Sequence, residues 1–190
     1  LEALHKAKET PPLPIQAHSE RLNSGERGIS VEMIRAIRKF YDKHEALDKV
    51  MGDVCKEAGF AASVCALTTS SGLSLAETLV LRAGGDAVGN LVGEATSFFS
   101  YSWTGTKLGD MLEAVERTLL ALEAADGRTR YVWIDMFGAS QNLLAGAFLP
   151  ASDAERARLK ATDTAAYRAC KEDTDHIFDD ALDAVSELLL

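Results

Sequence analysis

Residues 95–103, ATSFFSYSW, decide the fold of this chain. The β-branched and aromatic residues from Thr96 to Tyr101 favour a strand. Hydroxyls and an indole follow at its end, ahead of a turn at Gly105 and an amphipathic helix. The carboxyl end of a strand is where open α/β sheets build ligand sites. From 107 to 124, Leu108, Met111, Leu112, Val115, Leu119 and Leu122 share one helical face, Asp110, Glu113, Glu116 and Glu123 lie off it, and Asp126 with Gly127 ends the helix. YVWIDMF at 131–137 is apolar almost without alternation, as in a strand covered on both faces. After a polar, alanine-rich helical insertion, the last helix is expected to turn Phe178, Ala181, Leu182 and Val185 toward the core, and Leu188 to Leu190 form a third strand. This β-α-β-α-β series predicts an α/β fold with a partial, doubly wound parallel sheet over 91–190.

Outward from that region the period becomes helical. Ser30 is a fitting N-cap for a helix in which Met33, Ile34, Ile37, Phe40 and Tyr41 recur at i, i+3, i+4 and i+7. Leu47, Val50, Met51 and Val54 repeat the pattern, with Gly59 to close it. Ser74 and Glu77 form a capping box, and Gly84 with Gly85 ends that helix. Residues 29–90 therefore read as a small helical module. Residues 1–28 carry Pro11, Pro12 and Pro14 and sustain no apolar period, which reads as a disordered tail or linker. Leu1 in place of Met, and an apolar run that stops at Leu190, suggest a fragment of a longer polypeptide truncated at its third strand.

Composition excludes several functions. A formal net charge of −9 in 190 residues offers no basic surface for nucleic acid. Cys55, Cys65 and Cys170 have neither C-x-x-C spacing nor a histidine at finger distance, so they indicate no disulfide framework, no zinc site and a reducing, cytoplasmic setting. No apolar run reaches the roughly 18–20 residues of a membrane span.

FFSYSW at 98–103, the helix after it, YVWIDMF at 131–137, the helix with Ile177, Phe178, Ala181 and Leu182, and the final leucines together resemble the first half of a Toll/interleukin-1 receptor (TIR) domain. The likeness is greater to the variant with F-V-S-[HY]-x-W in the first strand and W-[IL]-D-[IL]-F-x-x-[NS]-Q after the second. It covers about 91–190. Ser100, Trp103, Trp133, Asp135, Phe137 and Gln141 match, while Tyr101 stands where His is frequent and Ser140 where Asn is frequent. The resemblance implies a flavodoxin-like sheet and one of two functions. One is a signalling module that self-associates with like domains or binds other protein partners. The alternative is a hydrolase that splits nicotinamide from NAD, which is then a substrate and not a bound cofactor. In such enzymes the catalytic Glu follows the third strand in a W-C-x-x-E setting. That motif does not occur in these residues, so no catalytic residue is assigned and the chain as given is expected to leave NAD intact.

The resemblance and the switch-point position together single out Ser100, Tyr101, Trp103, Asp135 and Gln141 as ligand-binding candidates. Each has a structural alternative. Hydroxyls at strand ends commonly satisfy local backbone, Trp103 can pack under its loop, Asp135 can hold an amide, and Gln141 can fix the loop after Phe137. Trp133 belongs to the core. Asp175, His176, Asp179, Asp180 and Asp183 are spaced to present carboxylates and an imidazole on one helix, a set more simply read as its solvated face than as a metal site. Gly84, Gly85, Gly89 and Gly93 precede a strand and make no phosphate loop. Lys107, with the amides that open the helix, is a conceivable anion site. His5 and His18 sit in the tail, and no Cys–His or Ser–His–Asp arrangement follows from spacing.

Overall fold

A computed structural model describes residues 22–69, 71–83, 91–146, 150, 152–163, 167, 174–185 and 187–189. Residues 1–21, Gly84, Gly85, Gly89, Cys170 and Leu190 lie outside the described residues. In chain order the elements are β1 (Gly28–Ile29), α1 (Val31–Asp42), α2 (Met51–Lys56), α3 (Val64–Thr68), α4 (Leu75–Ala83), β2 (Val92–Gly93), β3 (Ser97–Phe99), α5 (Leu108–Asp126), β4 (Val132–Ile134), α6 (Asp135–Gly138), α7 (Gln141–Leu144), α8 (Asp153–Thr162), α9 (Thr174–Ala184) and β5 (Glu187–Leu189). The fold is mixed α/β.

The strands form one sheet in the order β2-β1-β4-β3-β5. Its centre is parallel, with Phe98 opposite Trp133 on one side and Leu188 on the other. A strand that pairs on both sides and leads into helices must bury both faces, and Val132, Trp133 and Ile134 are all buried. Alternation along β4 sends Val132 and Ile134 into a core with Leu108, Met111, Leu112, Val115 and Leu119 of α5 and Ile34, Ile37 and Phe40 of α1. Trp133 and Phe98 enter a second core with Ile177 and Ala181 of α9. Thus α5 and α9 cover opposite faces.

Local signals account for the helix ends. Ser30 Oγ accepts from the Met33 amide at 3.3 Å. In the capping box at α4, the Glu77 carboxylate accepts from the Ser74 amide at 2.8 Å and Ser74 Oγ accepts from the Glu77 amide at 3.1 Å. Gly127, at φ +72°, caps α5 in the left-handed region that only glycine enters without steric cost.

Several expectations are corrected. The sheet is not wholly parallel: β1 pairs antiparallel with both β2 and β4. Two-residue strands containing glycine carry no period for sequence to reveal. Residues 22–28, expected in the tail, are structured instead, with a 3-10 turn at Ser24–Glu26 and Ser24 Oγ donating to the Ile177 carbonyl at 2.7 Å. Ile29 and Val92 share the core that α5 enters. The strand expected over 131–137 stops at Ile134, because Asp135 Oδ1 takes the Met136 amide at 2.6 Å and the backbone turns into α6. Leu47 and Val50 lie outside α2, since this segment's backbone pairs with the start of α5: Leu108 N donates to Lys49 O at 3.0 Å and Gly109 N to Leu47 O at 2.8 Å. α2 ends at Lys56, and Gly59 makes the turn beyond it. Leu182 is 46% exposed, and Ile177 takes its expected place in the core beside Ala181.

Candidate functional site

β3 and β4 run parallel and end side by side, so the residues just beyond Phe99 and Ile134 emerge at the same edge. From β3 come Ser100 to Trp103, which a turn then redirects: Ser102 Oγ accepts from the Gly105 amide at 3.2 Å and Ser102 O from the Thr106 amide at 3.1 Å. From β4 comes Asp135, whose carboxylate is the centre of the site. Tyr101 OH donates to Oδ1 and Trp103 Nε1 to Oδ2, the second at 2.9 Å. The Met136 amide adds a third donor at Oδ1. Gln141 Nε2 donates to the Asp135 carbonyl at 2.8 Å, tying α7 to the same point.

Four of the five candidates therefore meet at Asp135, Tyr101 and Trp103 at its carboxylate and Gln141 at its backbone carbonyl. Ser100 is the exception, exposed just past the end of β3. The rings reinforce the grouping: Phe99 stacks on Tyr101 and Tyr101 on Trp103, with centroids 6.0 and 6.3 Å apart. Lys56 Nζ lies 5.9 Å from the Trp103 ring centre, over its face. Gly52 N donates to Trp103 O at 2.9 Å and Met51 N to Thr106 O at 3.0 Å, so α2 is fastened over this end of the sheet.

Burial raises the Asp135 carboxyl above its ordinary value, and the hydrogen bonds from Tyr101, Trp103 and Met136 oppose the shift. Tyr101 is pushed strongly upward by burial and then by the negative charge of Asp135. Its proton stays on the phenol and serves as a donor. The one proton of Tyr101 and the one N–H of Trp103 are thus committed to Asp135. The arrangement holds two strand ends and the first turn of α6 in fixed relation, and the Ser100 hydroxyl stands apart from it.

The remaining candidates have other settings. Trp133 is fully buried, as expected for the core. Lys107 Nζ meets Asp48 Oδ1 at 3.0 Å, so its charge is directed to a carboxylate of this chain. Asp179 and Asp183 are exposed, while the side chains of Asp175, His176 and Asp180 lie outside the described residues. Among the described residues, no three His, Cys, Asp or Glu side chains cluster as metal ligands, and no helix is long and apolar enough to cross a membrane. A surface cleft of about 500 Å³ is lined by Arg35, Arg38, Lys39, Asp42, Leu47 and Glu116, none of them from the Asp135 group.

Sequence reasoning missed two contributors. Lys56 reaches the site from the helical region, and Cys55 is close enough for Asp135 to raise its pKa. No spacing rule links residues 55–56 to 101–135. It also missed Arg27, buried against Glu77 with Nε 3.6 Å from the carboxylate and Nη1 donating to the Gly138 carbonyl at 3.1 Å. No protein-family model, curated protein or solved structure matches the chain significantly.

Proposed function

We propose that this chain is a TIR-like signalling module that acts by self-association. The observation that carries this reading is the inward commitment of Tyr101, Trp103 and Asp135 to one another at the carboxyl ends of β3 and β4. Side chains that a ligand pocket needs free are here spent on rigidity, which suits a platform for protein contact. The motif-bearing strands lie adjacent and parallel, with helices on both faces, and this order supports the same reading. Sedimentation velocity over a hundredfold concentration range tests it, with a weight-average mass that rises with concentration as the expected result. A mass fixed at the monomer value at every concentration, with no capture of one tagged copy by another, rejects it.

A second reading is favoured by one residue. Ser100 is exposed just past β3, where a ribose or phosphate has access to its hydroxyl. On this reading the longer polypeptide cleaves NAD, with its Glu supplied from outside these 190 residues. Incubation of that polypeptide with NAD should release nicotinamide, and Ser100→Ala should lower the rate. Release no greater than from heat-inactivated protein rejects the hydrolase.

A further inference from the structure

Helix α1 sets Arg35, Arg38, Lys39 and Asp42 along one side, at i, i+3, i+4 and i+7. With Glu116 of α5 and Leu47 of the following loop they line the cleft of about 500 Å³. That is the size of a small-molecule site, for which about 300–1,000 Å³ is usual. Leu47 is fixed as one wall, because Gly109 N at the start of α5 donates to Leu47 O at 2.8 Å. Three cations between positions 35 and 39 stand out in a chain of net charge −9. Like charges one helical turn apart repel, so such a cluster needs anions to balance it.

The chain's own carboxylates do only part of that balancing. Arg35 Nε donates to Glu116 Oε1 at 2.7 Å. Arg38 stands farther off, with Nη2 3.6 Å from Glu113 Oε2 and Nη1 3.7 Å from Glu116 Oε2, both beyond hydrogen-bond length. These charges orient the Arg38 fork and leave its N–H donors unspent among the described residues. Lys39 is exposed and has neither a hydrogen bond nor an ion pair among the described residues. Glu116, its side chain only 18% exposed, thus brings two guanidinium groups together while the outer donors of the cluster stay open.

We infer that this cleft binds the phosphate group of a phosphorylated, hydroxyl-bearing small molecule. A guanidinium fork matches two phosphate oxygens at once, and an ammonium adds a point charge beside it, so Arg38 and Lys39 supply the direct donors and Arg35 adds its charge. Asp42, one turn farther along α1, accepts from a ligand hydroxyl, and Leu47 offers the apolar contact. Sugar phosphates and nucleoside monophosphates share this chemistry. The site lies apart from the Asp135 group and is independent of self-association.

Isothermal titration calorimetry of the whole chain at constant ionic strength tests the assignment, with ribose 5-phosphate, adenosine monophosphate, inorganic phosphate and sulfate as probes. The two organic phosphates should bind more tightly than the two inorganic anions. A nucleotide at least about tenfold tighter than ribose 5-phosphate assigns the ligand to nucleoside phosphates, and equal binding assigns it to sugar phosphates. Arg38→Ala and Lys39→Ala should each weaken ribose 5-phosphate by about tenfold or more, the loss of a charge-assisted hydrogen bond. Asp42→Asn should narrow the preference for ribose 5-phosphate over inorganic phosphate. None of these three side chains is buried, so the variants should unfold thermally like wild type, which circular dichroism checks. Equal binding of all four probes, or affinity unchanged in both Arg38→Ala and Lys39→Ala, marks an adventitious ion only and overturns the inference. Absence of binding by every probe at millimolar concentration overturns it as well.

Discussion

Replacing Gly138 by alanine tests whether the end of β4 is as tightly packed as the geometry indicates. A Cβ at this position would stand 2.6 Å from Nε1, 2.8 Å from Cε2 and 3.0 Å from Cδ1 of Trp133, well inside the 3.4 Å at which ordinary contact begins. The indole has no room to retreat. It is fully buried, with the Phe98 ring stacked at 5.1 Å and the Phe178 ring edge-on at 5.4 Å. The backbone is held as well, because the Gly138 carbonyl accepts from the buried Arg27 guanidinium. Overpacking of this kind costs about 1–3 kcal/mol. The higher helix propensity of alanine returns up to about 1 kcal/mol in a helix interior, and less here at the last residue of a four-residue helix. The net loss is about 1–2 kcal/mol, which for a chain of this length lowers Tm by about 2–8 °C. Thermal unfolding followed by circular dichroism reads the shift. The decisive comparison is a double-mutant cycle with Trp133→Phe, which removes Nε1, the atom nearest the added methyl. Gly138→Ala should cost at least about 1 kcal/mol less in that background. An undiminished cost there, or a Tm at or above wild type for Gly138→Ala alone, refutes the packing argument.

The Asp135 carboxyl is raised in the folded state by burial, so between its unfolded and folded pKa values the folded protein holds more protons than the unfolded chain. Its contribution is fully present below the unfolded value of about 3.9 and is lost as pH rises through the folded value. Urea midpoints from acid to neutral pH should therefore decline for wild type relative to Asp135→Asn; a constant difference between the two would remove burial as the cause. Glu77→Ala takes away both the cap on Ser74 and the carboxylate facing buried Arg27, and should cost about 3–5 kcal/mol in chemical denaturation. A loss below about 1 kcal/mol would show that this pair is not structural. On α9, Leu182→Gln should stay within about 0.5 kcal/mol of wild type, whereas Ala181→Leu should cost about 1–3 kcal/mol in the same assay. The reverse order would mean that the helix faces are wrongly assigned.

What could be read from the sequence follows from how local each signal is. The α5 face from Leu108 to Leu119, the Ser30 cap and the Ser74–Glu77 box depend on residues a few positions apart, and all are present. The apolar run at 131–137 was ambiguous by nature. Met136 and Phe137 are as buried as the strand residues before them but lie in a helical turn, and hydrophobicity without a period does not distinguish the two states. For the site, Tyr101, Trp103, Asp135 and Gln141 were legible as a group because both motifs sit at strand ends, which a parallel sheet brings to one edge. That their polar atoms satisfy each other was not legible, since hydrogen bonds across 32 and 34 residues depend on the strand register. The contacts of Cys55 and Lys56 depend on how residues 47–56 pair with the start of α5, which has no local signature.

The hydrogen bond from Ser24 to the Ile177 carbonyl spans 153 residues, and β5 follows the other strands of the described sheet in chain order. During synthesis the chain can assemble the α1–α5 core well before α9 exists. Throughout that interval the face of the sheet bearing Phe98 and Trp133 has no partner. This nascent species carries its own stacked aromatic patch into the cytosol or any other compartment in which it is made, and it persists for as long as translation of residues 139–189 takes. A stall in that stretch leaves this apolar face uncovered, so chaperone supply during that interval should raise the yield of folded protein.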